Sequence, residues 1–314
     1  MKMKHELNEI LEEFPLPNEL TTQLFNELED RLDQRNFVMS SRFFYYNYRL
    51  EWLKKRLAEA TVIGNQNTVQ KILQHYPEWL IEKRKTLEDK SGRVFFNLSI
   101  WEYTLWALDV RYMAPMMLDC IPDGERGNAI HQELAKQLAK VETQGVTYQL
   151  NGQSYHERHY DFAILPALAN YNLNYSRWNE KSRKEFWCTT IGELQWLLPA
   201  HIAQHYCDYE NGFNPTPTFK NEKFTRSLRY YNGISGNYEN WYSPRSKTEG
   251  LGINFAISPV FLYPKEITGA FDMLEDFWVS VDIRALTVLQ ETRLDDWKLL
   301  KERLQGSLLF DCKN

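Results

Sequence analysis

The chain has 314 residues, 43% of them hydrophobic and 14% aromatic, which is enough apolar material for a large core and excludes a mostly disordered chain. Its formal net charge of −5, from 37 basic and 42 acidic residues, gives no general attraction to nucleic acid or to anionic lipid. The 4 cysteines form no CxxC pair, which favours free thiols in a reducing, cytoplasmic compartment over a disulfide framework.

The first 60 residues are predicted to be helical. Charged residues interrupt the apolar residues of segment 1–14, a pattern typical of an amphipathic helix and not of a secretory signal peptide. Pro15 and Pro17 separate this segment from two further helices, in which leucine and aromatic residues recur at helical spacing. No apolar run reaches the roughly 20 residues that a bilayer requires, so we predict no membrane span.

The stretch 61–118 resembles two degenerate ankyrin-type helical hairpins. An Asp-x-x-Gly-Arg turn at 89–93 precedes a predicted helix that carries Ala107, and a second helix ends in a run rich in methionine and leucine at 113–118. An ordinary helical bundle explains the same residues, and both interpretations stay open. Either one predicts a helical region over 1–122, followed by a mixed domain over 123–314.

The mixed domain combines helices with a small amount of strand. Apolar spacing predicts a helix over 130–141 that stops at Gly145, and the Asn151-Gly152 pair predicts a β-hairpin over 146–155 with a type I′ turn. Helices return over 161–209, and the aromatic segment 219–264 contains strand-like pieces at 227–231 and 252–257. Segment 267–304 predicts one or two amphipathic helices. The predicted fold class is therefore mainly α, of the α+β type, with helical hairpins and a small β-hairpin or sheet element in the C-terminal half.

Two histidines and a cysteine are the first candidates for chemistry. His201 and His205 lie four apart, so on one helix face they could hold zinc, or they could be buried imidazoles bonded to polar neighbours. The pair lacks the spaced cysteines of a zinc site, so we assign neither a metal nor a cofactor. Cys188 could be a nucleophile with His201 or His205 as base and Asp208 as orienting acid, or a small buried hydrophobe beside Trp187.

A second group of candidates follows the predicted hairpin. His156 and His159 lie within a run of acidic, basic and imidazole groups that could line a catalytic pocket. Charged residues at a junction between a strand and a helix also commonly solvate a surface or cap the helix. Both interpretations remain open for this run.

The third group is polar and aromatic. Arg226 and Arg229 lie three apart, and with Tyr231 and Trp241 they could clamp a phosphate and stack a base or nicotinamide. Alternatively, the aromatic residues close a small core while the arginines pair with acidic residues elsewhere in the chain. No glycine-rich phosphate loop or other catalytic signature decides between the two.

Several short blocks between residues 90 and 242 resemble a region found in uncharacterised effectors of Legionella and related intracellular bacteria. The blocks are Ser91-Gly92-Arg93, Trp106-Ala107-Leu108-Asp109, Met116-Met117-Leu118-Asp119-Cys120, Trp187-Cys188, Leu198-Pro199-Ala200-His201 and Arg226-Ser227-Leu228-Arg229-Tyr230-Tyr231-Asn232. Such effectors reach host cells through a type IV secretion system, and some carry ankyrin repeats. The resemblance implies a location in the host cytosol and a host protein as partner, and it implies no reaction.

Two functions follow from these observations. The first is a protein-interaction module, a translocated bacterial effector whose helical hairpins and exposed aromatic residues engage a host protein. The alternative is an enzyme, a group transferase or hydrolase acting on a phosphorylated or nucleotide ligand, with its site within 156–242. The sequence leaves open whether the protein is an enzyme.

Overall fold

The computed structural model describes residues 18–28, 31–40, 42–208, 210–232, 237–243 and 276–310. The helix predicted over 1–14 and the strand predicted over 252–257 lie outside these residues. The chain divides into two compact units, 1–59 and 60–314. Within the described ranges, no helix has an apolar stretch long enough to cross a bilayer.

The first unit contains helices α1 (Asn18–Glu27), α2 (Arg31–Met39) and most of α3 (Arg42–Val62). All three helices contribute apolar side chains to one cluster. The cluster comprises Phe25, Val38, Phe44 and Tyr48, with Phe37 and Trp52 packed against it. Its rings are in direct contact, for example Phe37 on Phe44 with centroids 4.1 Å apart. The helical pattern predicted from apolar spacing is present here.

The second unit begins with helices and a sheet. In chain order its elements to residue 157 are α4 (Gln66–Leu73), a 3₁₀ helix (Pro77–Leu80), β1 (Arg84–Glu88), β2 (Val94–Leu98), α5 (Ile100–Trp106), α6 (Met113–Asp119), α7 (Glu125–Gln144), β3 (Val146–Leu150) and β4 (Gln153–Glu157). Ser99 caps α5 in a capping box with Glu102. Trp106 at the end of this helix packs against Phe95 and Tyr148 of the sheet. Gly145, at a φ of 67°, ends α7 where the sequence predicted.

The remaining elements are helices and a second hairpin. They are α8 (Ile164–Asn174), α9 (Glu180–Phe186), a π-helical turn (Trp187–Ile191), α10 (Gly192–Trp196), α11 (Ala200–Tyr206), β5 (Arg229–Asn232), β6 (Asn237–Asn240) and the long helix α12 (Asp276–Phe310). Helix α12 packs against α7 and α8. Pro199 stands at the N-cap of α11, because a helix start does not need the N–H that proline lacks.

The main sheet has four antiparallel strands in the order β1-β2-β3-β4. The side chains of Leu87, Phe95 and Tyr148 point into the core, where Phe95 meets Trp106 with ring centroids 4.7 Å apart. The predicted hairpin at 146–155 is confirmed as β3–β4, and Asn151 and Gly152 both have positive φ, as a type I′ turn requires. The predicted fold class, mainly helical with a small sheet, is also confirmed.

The structure differs from the sequence interpretation in the stretch 84–98. Residues 89–93, which the ankyrin resemblance placed before a helix, form the turn between β1 and β2, so this part is a β-hairpin. Asp89 fixes the turn, since one of its carboxylate oxygens accepts hydrogen bonds from the Ser91 hydroxyl and from two backbone N–H groups. Strand β2 pairs with β3, which joins residues on both sides of position 122 in one sheet. The division into compact units therefore falls after Glu59, whereas the sequence predicted it after residue 122.

Candidate functional site

Residues 218–226, here called the strap, cross the second unit without helix or strand. The backbone carbonyls of three consecutive strap residues accept hydrogen bonds from side chains of other elements. The pairs are Arg293 Nη1 with the Phe219 carbonyl at 3.1 Å, Arg111 Nη2 with the Lys220 carbonyl, and the Tyr112 hydroxyl with the Asn221 carbonyl at 2.9 Å. Side chains from α12 and from the segment before α6 thus hold this irregular piece in place.

Arg226 anchors the C-terminal end of the strap. Its guanidinium donates two hydrogen bonds to Asp109, at 2.7 and 2.8 Å, and further hydrogen bonds to Gln66, Gln204 and the Gly64 carbonyl. The side chains of Arg226 and Asp109 are only 10% and 5% exposed. Burial alone would raise the pKa of Asp109, but the Arg226 cation outweighs burial and holds that pKa well below its usual range. The ion pair is therefore fully formed at neutral pH.

His201 is buried near the Arg226–Asp109 ion pair, and its imidazole is neutral. Its Nε2 lies 3.1 Å from the Leu108 carbonyl, and because a carbonyl only accepts, Nε2 carries the proton. The Nδ1 atom is buried and has no hydrogen-bond partner among the described residues. Burial lowers the pKa of His201 to about 3, although the nearby Asp109 carboxylate acts in the opposite direction. This histidine is uncharged over the physiological pH range.

His205 lies between the strap and α12. Arg293 Nη2 donates to its Nε2 at 3.1 Å, so this nitrogen must be unprotonated. Its ring stacks on Phe224 of the strap, with centroids 4.2 Å apart. Burial, followed by the Arg293 cation, lowers the pKa of His205 well below the ordinary value. The contact between α11 and α12 thus depends on a neutral imidazole.

The carboxylate of Asp296 pairs with the other two arginines near the strap, Arg293 and Arg111. Its two carboxylate oxygens accept from Arg293 at 2.8 Å and from Arg111 at 2.9 Å. Burial lowers the pKa of the fully buried Arg293, and Asp296 opposes that shift. Two carboxylates, Asp109 and Asp296, thus face three arginines at the strap. The sequence interpretation did not select Asp109, Asp296, Arg111 or Arg293 as site residues. Asp109 meets Arg226 117 residues away and Arg111 meets Asp296 185 residues away, so no local motif connects these pairs.

Residues of the strap line two clefts. One has a volume of about 280 Å³, and its walls include Arg111, Tyr112 and Asn221. The other has a volume of about 400 Å³, and its walls include Gln66, Gln204 and Arg226 with the Phe224 ring. Side chains of the strap therefore form part of the wall of both clefts.

The proposed Cys-His-Asp group is not joined by hydrogen bonds. Asp208 is buried and accepts from the backbone N–H of Glu210 and from the side chain of Asn211, so it orders the loop after α11. Cys188 is half-buried on the π-helical turn and, within the described ranges, makes no hydrogen bond to His201. No group of three or more metal-ligating side chains occurs among the residues that the structure describes.

The other predicted candidates occupy separate places. His156 is exposed on β4 beside Thr147, and His159 Nδ1 lies 3.0 Å from the Tyr160 carbonyl. Arg229 is exposed with its guanidinium 5.9 Å from the Tyr238 ring centroid. Trp241 is buried and donates to the Gln195 carbonyl at 3.2 Å.

Tyr231 lies on β5 opposite Tyr238, and its side chain is outside the described part. Of the residues predicted to bind a ligand, Arg226 is therefore the one that lines a cleft in the described structure.

Strand β4 forms one edge of the four-stranded sheet. In a two-residue hairpin the pair next to the turn, Leu150 with Gln153, is hydrogen-bonded, and hydrogen-bonded pairs then alternate along the ladder. The backbone groups of Ser154 and His156 therefore point away from β3. Among the described residues no further strand pairs with that side. The first four side chains of β4 are exposed and carry no acidic or basic group other than the imidazole.

Comparison with known proteins gives one family. Residues 163–304 match the family model described as the CBUA0006 C-terminal domain. The chain is 33% identical over 271 residues to the uncharacterized protein CBUA0006 of Coxiella burnetii, an alignment that covers 82% of this chain and 76% of that relative. No solved structure matches the chain.

Proposed function

The chain belongs to the family of the Coxiella burnetii protein CBUA0006, and from this membership and the surface of the second unit we propose that it is a protein-interaction module, a translocated effector that binds a host protein. The source of the relative agrees with the resemblance of residues 90–242 to effectors of Legionella-like intracellular bacteria. The host cytosol is then its place of action. A host polypeptide is its partner.

The edge strand β4, with which no further strand pairs among the described residues, carries this proposal. Sheet edges that natural proteins leave exposed are usually protected by charge, proline or a bulge, because unpaired backbone groups attract other strands. The opposite edge follows this rule, since β1 bears Arg84, Lys85 and Glu88. The sequence of β4, Gln-Ser-Tyr-His-Glu, has no lysine, arginine, carboxylate or proline at its first four positions. An extended segment of a partner can add there as a fifth strand.

The contacts of the candidate catalytic side chains favour an interaction module over an enzyme. His201, His205 and Asp208 are all buried and are bonded to protein groups that hold neighbouring elements together. Arg226 is neutralised by Asp109 through two hydrogen bonds, which reduces its attraction for a phosphate.

Capture of host proteins by the immobilised full-length chain tests the proposal. We expect a specific partner to be retained by the wild type and by Ser154→Ala, and to be lost with Ser154→Pro. Proline removes an outward N–H of β4 and leaves the β3–β4 hydrogen bonds intact, whereas alanine keeps that N–H. Equal capture by the proline and alanine variants would place the partner elsewhere, and no retained partner would argue against an interaction module.

An enzyme acting on a phosphorylated or nucleotide ligand is the second candidate. The observation that favours it is the cleft of about 400 Å³ beside Arg226, whose wall combines amide side chains with the Phe224 ring. We expect a nucleotide or NAD at 100 times its Kd to stabilise the protein by about 2.7 kcal/mol, seen as a rise in Tm. Asn67→Leu, which narrows the cleft from an exposed position, should abolish the rise, and Asn128→Leu on α7 is the control. A ligand screen without any shift contradicts the idea.

A further inference from the structure

We propose that the strap is an acid-released latch: protonation of His205 frees residues 218–224 from α11 and α12, while Arg226 stays paired, and so widens the two clefts that the strap lines. The proposal does not depend on which partner or ligand the protein binds. It concerns how access to these clefts changes with pH.

The hydrogen bond between Arg293 and His205 determines the direction of the response. Arg293 can only donate, so the bond at 3.1 Å exists only while Nε2 of His205 keeps its lone pair. A proton on Nε2 removes the acceptor and places two cations in contact inside the protein. The same imidazole stacks on Phe224, so its movement also displaces the strap.

The charges around His205 oppose its protonation. The groups that face it are Arg293 of α12, Arg226 of the strap and His201 on its own helix. Asp109 favours a proton on His201, but two hydrogen bonds from Arg226 already engage this carboxylate. In the closed state both imidazoles therefore stay neutral.

Opening the strap lets water reach His205. A solvated imidazole has a pKa of about 6.5. Below that pH the open state therefore binds a proton that the closed state does not bind. Lowering the pH from 6.5 to 5.5 then favours the open state by about fivefold for each histidine that becomes solvated, and each further pH unit by about tenfold. Asp109 remains ionised throughout this range because Arg226 lowers its pKa. The latch therefore weakens with acid while the Arg226–Asp109 anchor keeps its charges.

Limited proteolysis of the full-length protein between pH 7.0 and 5.0 measures the opening. Chymotrypsin cuts after aromatic residues, and the strap contains Phe219 and Phe224. The rate of cleavage at these bonds is followed by mass spectrometry. It is divided by the rate at which a synthetic peptide of residues 214–229 is cleaved at the same pH, which corrects for the effect of pH on chymotrypsin itself. We expect this ratio to rise about fivefold from pH 6.5 to 5.5 through His205 alone.

The variant His205→Gln separates the latch from other effects of acid. A glutamine oxygen accepts from Arg293 and does not titrate, so the roughly fivefold rise that His205 contributes between pH 6.5 and 5.5 should be absent from this variant. His156→Gln, at an exposed position on β4, should behave as the wild type does. A flat ratio in the wild type, an unchanged slope in His205→Gln, or parallel cleavage after Phe95 in the sheet overturns the proposal.

A second measurement needs no variant. In protein labelled with ¹⁵N-histidine, the ring resonances of His205 at pH 7.0 should show a neutral imidazole with Nε2 unprotonated. A charged ring, or a proton on Nε2, at pH 7.0 overturns the proposal.

Discussion

We expect Asp109→Asn to lower the free energy of unfolding of the second unit by about 3–5 kcal/mol. The substitution leaves the Arg226 guanidinium, only 10% exposed, without the carboxylate that accepts two of its hydrogen bonds. An asparagine oxygen can accept one of them, and its NH₂ group then faces a second donor. Urea unfolding followed by tryptophan fluorescence measures the loss, since Trp101 and Trp106 are buried in this unit.

Asp119→Asn is the matched control. Asp119 pairs with Arg303 at 2.5 Å, but the two side chains are 62% and 45% exposed. Water and salt screen such a pair, so its removal should cost less than about 1 kcal/mol. Similar losses in the two variants would mean that the Arg226–Asp109 pair contributes no more to stability than an exposed ion pair.

The parts of the fold that the sequence predicted are those specified by neighbouring residues. The type I′ turn of β3–β4 depends on two adjacent residues that tolerate positive φ, and the end of α7 depends on Gly145. Helices such as α1 and α3 bury one face, so their apolar spacing is visible in the sequence. These signals do not depend on the rest of the chain.

The first hairpin of the sheet was missed because its strand signal is weak. In β1, Leu87 is the one buried side chain, so five residues show no alternation that could be counted. The Val-Phe-Phe run of β2 is strand-like, yet it follows a turn that also resembles the start of an ankyrin repeat. Pairing with β3, about fifty residues later in the chain, decides the structure, and spacing within the stretch does not reveal that pairing.

The candidate site shows the same limit. The sequence interpretation proposed either a phosphate clamp or an arginine paired with an acid elsewhere, and the structure shows the paired form for Arg226. Its partner, Asp109, lies 117 residues earlier, so no motif connects the two. His201 and His205 do share one helix face, as their spacing indicated, but they meet Leu108 and Arg293 and no metal-ligating cluster among the described residues.

We expect the free energy of unfolding of the second unit to fall by about 4 kcal/mol between pH 7.0 and pH 5.0, about 2 kcal/mol for each buried histidine. Burial lowers the pKa of His201 to about 3 and that of His205 well below its ordinary value, whereas both take a proton near pH 6.5 once unfolded. Because the unfolded chain then binds more protons, the contribution of the two neutral histidines to the free energy of unfolding is fully present above pH 6.5. It decreases as the pH falls toward 3. Asp109 adds no loss in this window, since its pKa is lowered and its stabilisation is lost only below the ordinary carboxylate range.

Urea unfolding at the two pH values measures this difference, with the double variant His201→Gln, His205→Gln beside His156→Gln. The double variant should lose less than about 1 kcal/mol over the same interval, while the control at the exposed position should lose as much as the wild type. The proteolysis experiment reports opening of the strap, and unfolding reports the whole second unit, so the two can differ. The wild type could lose stability in urea at pH 5.0 while its strap stays resistant to chymotrypsin. That result would support the two buried neutral imidazoles and contradict the acid-released latch. A wild type equally stable at both pH values would show that neither histidine is buried in the neutral form.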